Sequence, residues 1–130
     1  MNIFLEIYFV KIYKLSMTLT QAYFLLIVSI LLEITATGTL KATEGFTRWI
    51  PSLISVAAIS GCMFFMSHVM RVLPVGITYA TWSGVGIVAL TLIGIIKYKQ
   101  VPNLATIFGL ALIVIGVIIV NVMNDIKIEG

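Results

Sequence analysis

The chain has 130 residues, of which 61% are hydrophobic and only 10% charged, with a formal net charge of +3. Soluble domains carry about 25% charged residues, and a chain this short cannot bury so much apolar surface in its own core. The composition excludes a soluble domain and predicts an integral membrane protein. Its basic residues stand singly between apolar runs, which excludes a nucleic-acid partner and suits membrane-flanking anchors.

Residues 1–16, "MNIFLEIYFVKIYKLS", mix apolar side chains with Glu6, Lys11 and Lys14. They lack the small-residue cleavage pattern of a signal peptide and are too short and too charged to span a bilayer. Two readings stand: a helix lying in the membrane interface, or a misassigned start, with translation beginning at Met17. Residues 17–130 read as a single transmembrane domain. A crossing helix needs about 20 apolar residues, and four stretches supply them: 22–40, 51–70, 75–96 and 104–122. The connections "KATEGFTRWI", "RVLP" and "KYKQVPN" are short, so neighbouring helices are antiparallel. Pro51, Pro74 and Pro102 each stand near the start of a span, where proline suits a first turn. The predicted fold is all-α: a small antiparallel bundle of four transmembrane helices.

Lysine and arginine are balanced across the membrane. Lys11, Lys14, Arg71 and Lys127 fall on one side, and Lys41, Arg48, Lys97 and Lys99 on the other. Orientation is set by an imbalance of such residues. A chain without one is expected to insert both ways and to pair with an inverted copy; the alternative is that a small bias still fixes one orientation.

The first span carries Glu33 in an otherwise apolar run, "FLLIVSILLEITATGTLK". A carboxylate at a helix centre costs about 2.5–3.5 kcal/mol on insertion scales, and no lysine or arginine stands at mid-depth in any span. Burial favours the neutral acid, whereas an arriving cation favours the carboxylate. A group that takes a proton or a cation, but not readily both, is the core of an exchanger. The alternative is a protonated structural glutamate hydrogen-bonded within the bundle. At helical spacing, Glu33 shares a face with Leu26, Ser29, Ile30, Ala36, Thr37 and Leu40. That stripe suits a pocket for a bulky apolar cation, and it equally suits ordinary helix packing.

In the second span, Cys62 reads as a small buried hydrophobe and His68 as a hydrogen-bonding group at the membrane edge. Ser55, Ser60 and Ser67 are expected to bond back to their own helix. The third span contains "GITYATWSGVGIV", with Tyr79, Trp82, Ser83 and Gly86 on one face. Aromatic faces attract organic cations, and Tyr79 is placed to hydrogen-bond Glu33 of the same or a partner chain. An interfacial aromatic belt is the other reading of Tyr79. Gly84 and Gly86 weaken the helix and mark a hinge for alternating access. The fourth span has no ionisable residue; Gly109 and Gly116, seven apart, share a face suited to close packing of helices in a dimer. No phosphate-binding loop, metal-ligand cluster or nucleophile–base pair is present, so neither an enzyme nor a cofactor is expected.

Together, "LLEITATGTLKATEGFTR" and "LPVGITYATWSGVGIV" resemble the small multidrug resistance transporters, over nearly the whole chain from Met17. The resemblance implies a multi-pass protein of the bacterial inner membrane, working as an antiparallel dual-topology homodimer or with a paired homologue. It implies proton-coupled export of organic cations. Glu33 matches the essential carboxylate, Tyr79 and Trp82 the third-helix aromatics, and Tyr23 a first-helix tyrosine. Leu26, Ser29, Ile30, Ala36 and Thr37 fall on the binding face, and Gly84 to Gly86 match the hinge. "YATWSGVGIV" is similar to the quaternary-ammonium branch. Guanidinium exporters of the family carry a tryptophan where Ala36 stands. Ile59, His68 and Val101 depart from the residues usual in the quaternary-ammonium branch, which leaves room for a guanidinium or polyamine exporter or for a heterodimer subunit. A non-transporting assembly partner is the reading from a different class.

Overall fold

The computed structural model describes residues 2–124 and consists there of five α-helices and one 3-10 turn. Lys127 and the rest of 125–130 lie outside the described residues, and so does the Lys14 side chain. Helix α1 spans Ile3–Ser16, α2 Leu19–Leu40, α3 Trp49–Val69, α4 Val75–Tyr98 and α5 Leu104–Val122. The last four are long and apolar enough to cross a membrane. Residues 3–16 form a helix of their own, α1, with Ile3, Phe4, Tyr8 and Phe9 exposed.

Capping sets the helix starts. Thr18 Oγ1 accepts the Gln21 N–H at 3.2 Å, and Gln21 Oε1 accepts the Thr18 N–H at 2.9 Å. This reciprocal box satisfies two end donors, so α2 begins three residues before the apolar run expected from 22. Asn103 Oδ1 caps α5 by accepting the Thr106 N–H at 2.8 Å. Pro51 sits in the first turn of α3 and Pro74 is the N-cap of α4. The α2–α3 connection turns through Glu44, Gly45 and Phe46, all at positive φ. Lys99 closes α4, also at positive φ, so α4 ends at Tyr98, two residues beyond the expected boundary.

The core lies between α2 and α3, the most closely packed pair. Ala22, Leu26 and Ile30 of α2 meet Cys62, Met66 and Val69 of α3, with Leu73 closing one end and Trp82 packed against the cluster. Ser55 Oγ donates across this seam to Ala36 O at 2.8 Å. That corrects the expectation that Ser55 bonds to its own helix; Ser60 and Ser67 do so, to Val56 O and Phe64 O. Ser55 differs because its side chain faces α2, where a carbonyl beside a small residue is within reach. At the other end of the bundle, Lys41 Nζ sits 4.4 Å from the centre of the Tyr98 ring, and the Tyr98 hydroxyl donates to Gly38 O at 3.4 Å. These contacts tie the end of α4 to the end of α2.

Helix α5 stands apart. It packs chiefly on α4 and has no buried residue. It comes close to α4 at Gly84, where a Cβ would run into the Val117 side chain. One polar residue ties it to the bundle. Asn121 Nδ2 donates to Thr81 Oγ1 at 2.7 Å and to Val117 O at 2.9 Å, while its Oδ1 accepts the Tyr23 hydroxyl at 3.5 Å.

Candidate functional site

Glu33 is half-buried on α2 and turns toward α4. Its Oε1 accepts the Thr37 hydroxyl at 2.9 Å. The two residues are one helical turn apart, so the helix itself sets this contact. Its Oε2 is buried without a hydrogen-bond partner and rests against Gly86, where a Cβ would stand 2.9 Å away. Any side chain at 86 would displace the carboxylate. Within the protomer, then, the hydroxyl on Glu33 is that of Thr37 and not of Tyr79, which is 56% exposed.

The surroundings of the carboxylate are apolar and aromatic. Trp82 packs on the α2–α3 core, and Tyr79 lies against it with ring centroids 5.2 Å apart and planes inclined at 51°. Trp82 Nε1 is buried and faces the Cys62 thiol without meeting hydrogen-bond geometry. Cys62 in turn lies close enough to Glu33 to feel its charge. The carboxylate of α2, the thiol of α3 and the aromatic pair of α4 thus converge.

The remaining residues of the predicted binding face divide in two. Leu26, Ser29, Ile30 and Ala36 are buried in the protomer; Leu26 and Ile30 pack against α3, Ala36 O takes the Ser55 hydroxyl of α3, and the Ser29 hydroxyl returns to Leu26 O at 2.7 Å. Tyr23 and Thr37 are exposed, as Tyr79 is; the Tyr23 hydroxyl reaches Asn121 of α5 and that of Thr37 reaches Glu33. Gly84 and Gly86 lie within an unbroken helical run, and each leaves room for a neighbour, Val117 or Glu33. Nothing stands within 4 Å of a Cβ built at Gly109 or Gly116. His68 Nδ1 lies 2.9 Å from Phe64 O and 3.3 Å from Ser67 Oγ. Sequence reading missed Gly86 as the carboxylate's seat and the Asn121 tie. The only signal for Asn121 was a lone amide near the end of an apolar span.

Four apolar crossings and a carboxylate held at mid-depth define a multi-pass membrane protein of the transporter type. The model of the Small Multidrug Resistance protein family matches residues 21–113. The chain belongs to that family, whose members sit in the bacterial plasma membrane. It is 43% identical over 102 residues to quaternary ammonium compound-resistance protein QacC of Staphylococcus sp. strain ST827, covering 78% of this chain and 95% of that protein. It is likewise 43% identical over 103 residues to the resistance protein QacG of Staphylococcus sp. strain ST94, covering 79% and 96%. Multidrug resistance protein EbrA of Bacillus licheniformis is 36% identical over 99 residues, covering 76% and 94%.

Proposed function

We propose that this protein is a proton-coupled antiporter that exports lipophilic and quaternary ammonium cations. The observation that carries this reading is Glu33 Oε2, a buried carboxylate oxygen with no hydrogen-bond partner, set against Gly86, one helical turn along α4 from Trp82. An unpaired charge in apolar surroundings is costly. A proton removes that charge, and an organic cation offsets it, so the two compete for one oxygen. A quaternary ammonium ion has no N–H to donate. It is held by charge at Glu33 and by the electron-rich faces of Trp82 and Tyr79, and the family's named relatives are resistance proteins for compounds of this class.

The exchange cycle follows. Protons from outside occupy the carboxyls and release the cation; loss of those protons inside frees the site for the next one. Each load permits rocking between two open states. The working unit in this reading is a pair of chains, either two inverted copies or this chain with a homologue, giving two Glu33-type carboxyls. In this reading the exposed Tyr23, Thr37 and Tyr79 complete the site from each chain, and Gly84 and Gly86 supply the flexibility for rocking.

The test is proton release from detergent-purified protein on adding tetraphenylphosphonium, with guanidinium in parallel and Glu33→Gln as control. Release with the bulky cation that is absent in Glu33→Gln is the expected result. Release with guanidinium alone moves the protein to the guanidinium or polyamine reading. Release that persists in Glu33→Gln sinks the shared-carboxylate mechanism.

A further inference from the structure

The end of the bundle that carries the α2–α3 and α4–α5 connections has a groove that the Glu33 site does not use. It runs between α2 and α4, with a volume of about 380 Å³, and is lined by Ile34, Thr35 and Gly38 on one side and Ile93, Ile96 and Lys97 on the other. That volume is in the range of small-molecule sites. The groove exists because residue 38 has no side chain: the nearest atom to a Cβ there is Ile93 Cδ1, at 3.9 Å. The threonine hydroxyls of its α2 wall are turned back on their own helix, Thr35 to Leu31 O at 2.9 Å and Thr39 to Thr35 O at 2.8 Å. The wall therefore presents mainly hydrocarbon. Thr35 and Ile96 are exposed, so the groove opens sideways to the surrounding membrane. On α2 its lining runs from Ile34 to Thr39, about 8 Å along the axis.

The groove ends at a pair of cations. Lys97 lines it, and its Nζ lies 5.5 Å from the centre of the Tyr98 ring. Lys41, from the end of α2, reaches the same ring at 4.4 Å. The two ammonium groups are thus at most about 10 Å apart. Membrane-edge lysines ordinarily spread their charges into water; here two from different helices converge on one ring. The carboxylate of this end, Glu44, is paired with Arg48 at 3.4 Å. Among the described residues neither Lys41 nor Lys97 has a salt bridge. Lys99, which closes α4, adds a further positive charge at the same end. Two like charges gathered without a carboxylate favour an anion beside them, and each ammonium brings three donors to it.

We propose that this groove is a binding site for an anionic phospholipid, with an acyl chain lying between α2 and α4 and the phosphate held by Lys41 and Lys97. Hydrocarbon walls below and cations above match such a molecule end to end, and basic pockets between membrane helices hold anionic headgroups in the same way. A free phosphate would use the lysines and leave the groove empty. A neutral lipid would fill the groove and leave the lysines without an anion. The bound lipid joins the ends of α2 and α4, the two helices that bring Glu33 and Gly86 together. The site stands apart from the carboxylate, and the proposal holds whatever Glu33 exports.

The test is native mass spectrometry of the purified full-length protein from neutral detergent micelles doped with phosphatidylglycerol or phosphatidylcholine of the same acyl chains. Phosphatidylglycerol is expected to be retained at least about fivefold more strongly, the effect of one lysine at an anionic surface. Lys97→Gln is expected to remove that preference. Lys11→Gln, which takes one charge from α1 before the opposite end of α2, is expected to change it by less than about twofold. Thr35→Phe puts a ring into the groove from an exposed position and is expected to lower retention of phosphatidylglycerol by about fivefold or more. Circular dichroism checks that each variant keeps its helices. Equal retention of the two lipids by wild type overturns the proposal, and so does an unchanged preference in Lys97→Gln. An equal loss in Lys11→Gln reduces the effect to diffuse charge attraction and overturns it as well. Undiminished retention in Thr35→Phe removes the groove from the site. Displacement of the lipid by millimolar inorganic phosphate would make the lysines a soluble-anion site and also overturn the proposal.

Discussion

At residue scale, the contact between Glu33 and Gly86 decides what the carboxylate can do. A Cβ at 86 would stand 2.9 Å from Oε2, closer than such atoms approach one another. The glutamate end is flexible, so the protein still folds, but the oxygen must leave its seat at Gly86. Gly86→Ala is therefore expected to weaken tetraphenylphosphonium binding by about tenfold with little change in thermal stability. Gly76→Ala serves as the control, because nothing stands within 4 Å of its Cβ. Equal affinities in the two variants would show that the seat at Gly86 does not matter. Glu33 and Trp82 were legible in the sequence because a carboxylate and a deep tryptophan are conspicuous in apolar runs. Gly86 read as a hinge residue instead, since a glycine in sequence signals only the absence of a side chain. What fills that space is a property of α2, more than fifty positions away.

At the scale of elements, the spans were readable from length and hydrophobicity, and the start of α2 was misplaced only because the Thr18–Gln21 box precedes the apolar run. How α5 is fixed was not readable. Its partners at Thr81 and Tyr23 lie 40 and 98 positions away, and no helical spacing relates them. Because α5 buries no residue, the amide at 121 supplies its polar attachment, with the Gly84–Val117 approach supplying the close packing. Hydrogen bonds between membrane helices are worth about 0.6 kcal/mol on average and at most about 1.7. A double-mutant cycle between Asn121→Leu and Thr81→Val, read by unfolding in mixed micelles, should return a coupling in that range. Strict additivity of the two substitutions would mean that the 2.7 Å contact contributes nothing to holding α5. Because Asn121 also accepts the Tyr23 hydroxyl, Asn121→Leu should loosen Tyr23 as well, and tryptophan fluorescence at Trp82 should lose part of its response to cation.

For the whole molecule, the question is what the exposed side of the protomer is for. An apolar helix face needs no protein partner in a bilayer, because lipid tails are as apolar as leucine and give no hydrophobic reward for pairing. Exposure of α5 alone therefore decides nothing. Two further facts bear on it. Nothing stands within 4 Å of a Cβ at Gly109 or Gly116, so a larger side chain there meets no obstacle inside the protomer. And Tyr79, whose ring lies against Trp82, is exposed, so a cation held on this aromatic pair needs a second wall to exclude water from it. If a second chain supplies that wall through close contact at the two glycines, then Gly109→Val combined with Gly116→Val should leave the helical content and the protomer fold unchanged. The same variant should shift the protein from dimer to monomer in mild detergent, as read by light scattering. Cation affinity should fall with it by at least about tenfold, in step with the loss of dimer across a dilution series. A variant that stays dimeric with wild-type affinity removes the glycines from the interface and leaves the second wall to another face. A variant that becomes monomeric yet still binds cation with wild-type affinity places the whole site within one chain, and the inverted pair is then needed for transport at most.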